Sequence, residues 1–162
     1  MATQEAVSVM LFAKALGPYW GLDKRYWRWP FIKESPTSNT LIEMAELIRV
    51  CWLEIDVALD TSYLTEGTIY EVSFVVMLKK DASGWDFPVT LDMEEPNGKK
   101  SQCKVNMKDL PREEWIEIRV GDFTNQKKGE LKFFFSGYEG GLWKTGLIVK
   151  GASIKPKKSF PF

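Results

Sequence analysis

Strict alternation of apolar and polar side chains is the feature that most constrains this chain. In "GTIYEVSFVVMLKK", Tyr70, Val72, Phe74, Val76 and Leu78 fall on one face, and Glu71, Ser73, Val75, Met77 and Lys79 on the other. "WLEIDVAL" sets Leu53, Ile55, Val57 and Leu59 against Trp52, Glu54, Asp56 and Ala58. "WIEIRV" and "FPVTLDMEE" repeat the pattern, with Ile116, Ile118 and Val120 on one strand and Val89, Leu91 and Met93 on another. A period of two is that of a half-buried strand, and one wet face per strand favours antiparallel pairing. "GELKFFFSGY" sends Leu131, Phe133 and Phe135 inward and Phe134 to the other face, where a dimer interface or an overlying loop could take it. "LWKTGLIVKGASI" supplies a last strand. Asn97-Gly98 in "EEPNGKK" is a strong hairpin signal, and "NQKKGE" at 125–130 reads as a second hairpin-like connection. Helical spacing is confined to "TLIEMAELIR", residues 40–49, read as one or two turns. About eight short strands with regularly spaced turns predict an all-β chain, an antiparallel β-sandwich forming one domain over residues 1–162.

Composition narrows the chemistry. The 162 residues carry 22 Lys plus Arg against 22 Asp plus Glu, so no global field attracts nucleic acid or an anionic membrane. The tail lysines Lys155, Lys157 and Lys158 are the one local basic run, and a solvated tail is their ordinary reading. The absence of histidine removes Ser-His-Asp triads, Cys-His dyads and His-ligated zinc. No phosphate-cradling loop or EF-hand occurs, and no nucleophile has a visible activating base, so no metal, cofactor or enzymatic activity is expected. Cys51 in "IRVCWLEI" reads as a small buried hydrophobe, and two cysteines are too few for a disulfide scaffold. The start has no basic n-region and Lys14 interrupts its apolar run, so no signal peptide is expected. No apolar run is long enough for membrane insertion, and the expected location is cytoplasmic.

"GPYWGLDKRYWRWP", residues 17–30, holds three tryptophans and two tyrosines in fourteen residues, with Lys24, Arg25 and Arg28 among them. Trp27 and Trp29 share strand parity and Tyr26 opposes them, so one face cannot bury every ring. Rings on a turn beside cations suit a flat, weakly polar ligand such as a sugar or a nucleobase. The competing reading is that these rings close the end of the sandwich, with Trp29 before Pro30 as the strongest case. The pairs Glu94-Glu95 and Glu113-Glu114 point to opposite strand faces and read as solvated surface rather than a glycosidase dyad. Glu139, in the Gly-rich "SGYEGGLWK", is either an ordinary turn residue or an acceptor for sugar hydroxyls and an acetamide N–H.

Three stretches, "WGLDKRYWRW", "AELIRVCWLEI" and "WIEIRVGDF" followed by "WKTGLIVKGASIKP", resemble the Nictaba-like lectins, the phloem protein 2 family of plants, over residues 8–156. The resemblance implies a jelly-roll-type sandwich and a homodimer. It implies binding of N-acetylglucosamine oligomers and the sugar cores of N-glycoproteins, in cytoplasm or phloem sap. It places the sugar-contacting tryptophans at Trp20 and Trp27, with an acidic residue near Glu139. Trp20 and Trp27 are then expected to stack on sugar, Tyr26 and Arg25 to hydrogen-bond at the rim, and Ser136 with Glu139 to grip hydroxyl or acetamide groups. Some members are associated with RNA transport, which makes RNA the alternative partner. The lysine-rich nuclear-targeting run of some members has no match here, since "GKKSQCK" is too weakly basic.

Overall fold

A computed structural model describes residues 5–157. The strands, in order, are β1 (Val9–Phe12), β2 (Gly17–Pro18), β3 (Trp27–Arg28), β4 (Phe31–Lys33), β5 (Leu41–Glu43), β6 (Ala45–Leu47) and β7 (Leu53–Asp60). They continue as β8 (Ile69–Leu78), β9 (Val89–Glu94), β10 (Lys100–Val105), β11 (Ile116–Thr124), β12 (Glu130–Gly137) and β13 (Leu147–Pro156). Eight of them have four or more residues. The remainder are short edge pairings that alternation over so few residues cannot announce.

Two antiparallel sheets form a sandwich of the expected all-β class. One sheet runs β11-β8-β13-β6-β3, with β1 sharing the β13 edge; the other runs β10-β9-β12-β7-β2. The alternating residues meet between them. Phe74 of the first sheet packs edge-on against Phe133 at 5.4 Å and Phe135 at 5.5 Å, both from the second. These rings, with Val72, Val76, Leu91 and Ile154, are sealed from solvent. Such apolar burial is the main driving force for closing the sheets, at about 25 cal/mol per Å².

The Asn97-Gly98 turn forms as expected. Lys100 pairs with Glu94, the Gly98 N–H donates to the Glu95 carbonyl, and Gly98 takes a left-handed φ of 89°. Two connections differ from expectation. Residues 40–49 are β5 and β6 rather than helix, because β6 lies between β13 and β3 and is buried on both faces. β6 is only Ala45-Glu46-Leu47, with Glu46 held by Arg28 and Lys79, so it is too short for alternation to announce, and the apolar residues around it imitate helical spacing. Residues 125–130 are not a hairpin but a crossover: β11 pairs with β8 in one sheet, β12 with β7 and β9 in the other. Thr61 anchors that crossover by accepting from the Gly129 N–H.

Candidate functional site

The outer face of the second sheet is where exposed rings and carboxylates converge. Register fixes its residues. One row across the strands runs Tyr19, Glu54, Ser136, Thr90 and Lys104, since Ser136 pairs with both Glu54 and Thr90 and Thr90 with Lys104. The Tyr19 N–H donates to the Glu54 carbonyl, extending β2 by one residue into that row. The next row runs Asp56, Phe134, Asp92 and Gln102. Trp52, just before β7, precedes Glu54 by two positions, and Tyr138, just after β12, follows Ser136 by two. These two rings close the end of the face in a parallel stack, centroids 4.3 Å apart and planes 13° from coplanar. Trp52 keeps 48% of its surface exposed and Tyr138 46%. A half-exposed aromatic stack away from the core is an apolar, rigid platform, able to take a ring ligand with little loss of side-chain freedom.

The loop after β12 is held from below by a buried cation. Lys144 is 2% exposed. Its Nζ donates to the Cys51 carbonyl at 3.0 Å and the Leu142 carbonyl at 3.1 Å, tying the approach to β7 to the loop that carries Tyr138. Cys51 is half-buried rather than enclosed, its Sγ 3.6 Å from the Gly141 carbonyl. Gly140, at a φ of 75°, lies where any Cβ would strike the Phe87 ring. Burial lowers the Lys144 pKa. The charged form is therefore strained below that lowered pKa, and the strain is relieved as pH rises through it toward the ordinary lysine range. Denaturation of wild type and Lys144→Met across alkaline pH is expected to show wild type gaining stability relative to the variant.

Carboxylates line the platform. A hydrogen bond to Glu54, and then the charge of Asp56, push the Tyr19 phenol pKa up. Burial, followed by the charge of Glu54, raises the Asp56 carboxyl. Asp56 Oδ1 is buried with no hydrogen-bond partner among the described residues. Within those residues neither Glu54, Asp56 nor Asp92 forms a salt bridge. Glu139 does, 3.0 Å from Lys104 Nζ at the opposite rim.

The crowded loop resolves into struts and tips. Trp27 is 1% exposed, and its Nε1–H donates to the Tyr19 carbonyl at 3.1 Å. Half-buried Trp29 donates likewise to the Gly21 carbonyl at 2.8 Å, with Lys14 over its ring. These indoles brace the backbone that presents Tyr19 and Trp20. Trp20 is the tip, 58% exposed at a left-handed φ of 65°, its ring edge-on to half-buried Tyr26 at 6.0 Å. The structure thus corrects two expectations. Trp27 has no free face because its strand packs it into the core, and Ser136, though on the outer row, is shielded. Arg25 is exposed but engaged, with Nη2 2.8 Å from Asp23 Oδ2. The arrangement brings Tyr19, Trp52 and Tyr138 onto one face, with Trp20 beside Tyr19 and Glu139 at the far rim. The tail offers little free charge: Lys155 pairs with Glu117 and Lys157 with Asp122, while Lys158 lies outside the described residues.

The sandwich is shared with carbohydrate-binding modules. The xylan-binding CBM22-1 domain of Paenibacillus barcinonensis Xyn10C superposes at a TM-score of 0.53 and 12% identity, covering 98% of this chain and 100% of that one. That likeness is one of fold. The phloem protein 2 family model matches residues 6–156, and the chain belongs to that family. It is 46% identical over 153 residues to Protein PHLOEM PROTEIN 2-LIKE A1 of Arabidopsis thaliana, covering 92% of this chain and 61% of that protein. A lectin of Luffa acutangula is 42% identical, covering 95% of this chain and 73% of the lectin. A lectin of Coccinia grandis is 30% identical, with 86% and 88% covered. No helix among the described residues is long and apolar enough to cross a membrane.

Proposed function

We propose that this protein is a carbohydrate-binding lectin that works without catalysis, its ligand lying on the Trp52–Tyr138 stack. The exposed pair beside Glu54 and Asp56, neither of which forms a salt bridge among the described residues, carries the reading. An indole face accepts the apolar C–H face of a pyranose, and carboxylates accept hydrogen bonds from its hydroxyls or an acetamide N–H. N-acetylglucosamine oligomers and the cores of N-glycoproteins are the ligands this chemistry suits. Trp20 and Tyr26 extend the platform at the loop tip, and Glu139 closes the opposite rim. Two relatives carry the name lectin, which supports the reading, and the family's name supports a place in phloem. Two sites in a homodimer would raise avidity for multivalent glycoproteins.

The same carboxylates argue against RNA. A polyanion laid on these rings meets Glu54, Asp56 and Asp92, and of the lysines on the same face Lys104 is paired with Glu139, Lys132 with Glu130, and Lys100 stands opposite Glu94. Calorimetric titration of tri-N-acetylchitotriose at low and high salt is expected to give the same affinity in both. Absence of heat at millimolar sugar, or RNA binding that falls steeply with salt, would overturn the lectin reading.

A further inference from the structure

The buried cation beneath the aromatic pair touches the backbone of both halves. Lys144 meets Val50 in an isolated antiparallel bridge, its N–H donating to the Val50 carbonyl at 2.8 Å and its carbonyl accepting from the Val50 N–H at 3.1 Å. Its stem passes against Gly137, the residue before Tyr138, where a Cβ would lie 3.4 Å from Lys144 Cε. Its Nζ ends on the Cys51 carbonyl, in the peptide group leading into Trp52, and on the Leu142 carbonyl, where the Tyr138 loop returns. The indole N–H groups of Trp27, Trp29 and Trp85 each bond a carbonyl. Trp52 has no such bond among the described residues, so its plane depends on the backbone that carries it. The cation is costly: among the described residues Lys144 forms no salt bridge, and an enclosed ammonium facing carbonyls alone costs stability. A methionine of similar length would fill the space without that cost. It could not donate to two carbonyls at once.

We infer that Lys144 is the positioning residue of the sugar platform, its two carbonyl hydrogen bonds setting the spacing and tilt at which Trp52 and Tyr138 meet a pyranose ring. This rests on the lectin reading. Buried as it is, the ammonium acts through the two backbone segments and not on the ligand. Charge-assisted bonds from one stem hold the approach to Trp52 and the return of the Tyr138 loop together before any sugar arrives. Without them the rings would be ordered only on binding, and that ordering subtracts from affinity.

The test is a double-substitution cycle read by calorimetric titration of tri-N-acetylchitotriose. Lys144→Met, Tyr138→Ala and the two together are each first checked for a cooperative thermal transition. Should Lys144→Met lose its fold, Lys144→Gln, which keeps a side-chain donor, takes its place in the cycle. Lys144→Met alone is expected to weaken binding about tenfold. In the Tyr138→Ala background, where no stack remains to align, the same change is expected to cost less than about threefold. The Trp52 indole N–H signal of the sugar-free protein should move in Lys144→Met while that of Trp27 stays in place. Equal losses in both backgrounds, or no loss in either, would overturn the positioning role and leave the lectin reading standing. Failure of wild type to bind the trisaccharide would overturn both.

Discussion

Trp52→Ala is expected to lower affinity for tri-N-acetylchitotriose by roughly tenfold to a hundredfold while the protein stays folded. The indole is about half exposed and stacks on Tyr138, outside the inter-sheet core, so its removal leaves the packing of Phe74, Phe133 and Phe135 intact. It destroys one plane of the platform and frees the other. Titration calorimetry paired with a melting curve checks both halves. A variant that binds like wild type would exclude the pair from the site. Tyr138→Ala should follow with a smaller loss, because the indole is the larger surface.

Trp27→Ala is expected to do the opposite, destabilising the fold by about 3–5 kcal/mol. The ring is buried at the β3–β6 edge, and its N–H satisfies the Tyr19 carbonyl. Truncation leaves a cavity and an orphaned acceptor, in a protein whose total stability is of the order of 5–15 kcal/mol. The melting temperature should fall by about 10 °C or more. Any loss of sugar binding at temperatures where the variant remains folded should be smaller than that of Trp52→Ala. A variant with wild-type stability and no binding would instead make Trp27 a ligand platform.

The contrast between these two tryptophans shows how far the sequence could be read. Alternation exposed β7 and β9 because their burial alternates residue by residue, and Phe133 and Phe135 point inward as their parity requires. It failed at β6, too short for alternation to announce, and at residues 125–130, where turn composition cannot say whether the chain stays in its sheet or crosses. The aromatic density of residues 17–30 drew attention to Trp27, but density does not separate a strut from a tip. That distinction depends on which indole N–H meets a backbone carbonyl, a tertiary fact. Trp52 and Tyr138 lie far apart in sequence and meet only because β7 and β12 are neighbours. A signal was nonetheless present. In sequence Trp52 alternates with Glu54 and Asp56, and a tryptophan in phase with the polar face of an amphipathic strand has no core to serve.

The most direct measurement is an amide and indole N–H correlation spectrum recorded while tri-N-acetylchitotriose is titrated into the nitrogen-15-labelled protein. The protein has seven tryptophans, so the indole region is sparse enough to assign by substitution. The Trp52 and Trp20 indole signals should move with added sugar, together with the amides of Glu54, Phe134 and Tyr138. Those of Trp27 and Trp85, whose N–H groups are bound to the Tyr19 and Thr145 carbonyls, should stay in place. Shifts confined to Trp115 or Trp143, with the outer face of the β10-β9-β12-β7-β2 sheet silent, would contradict this account of where the ligand binds.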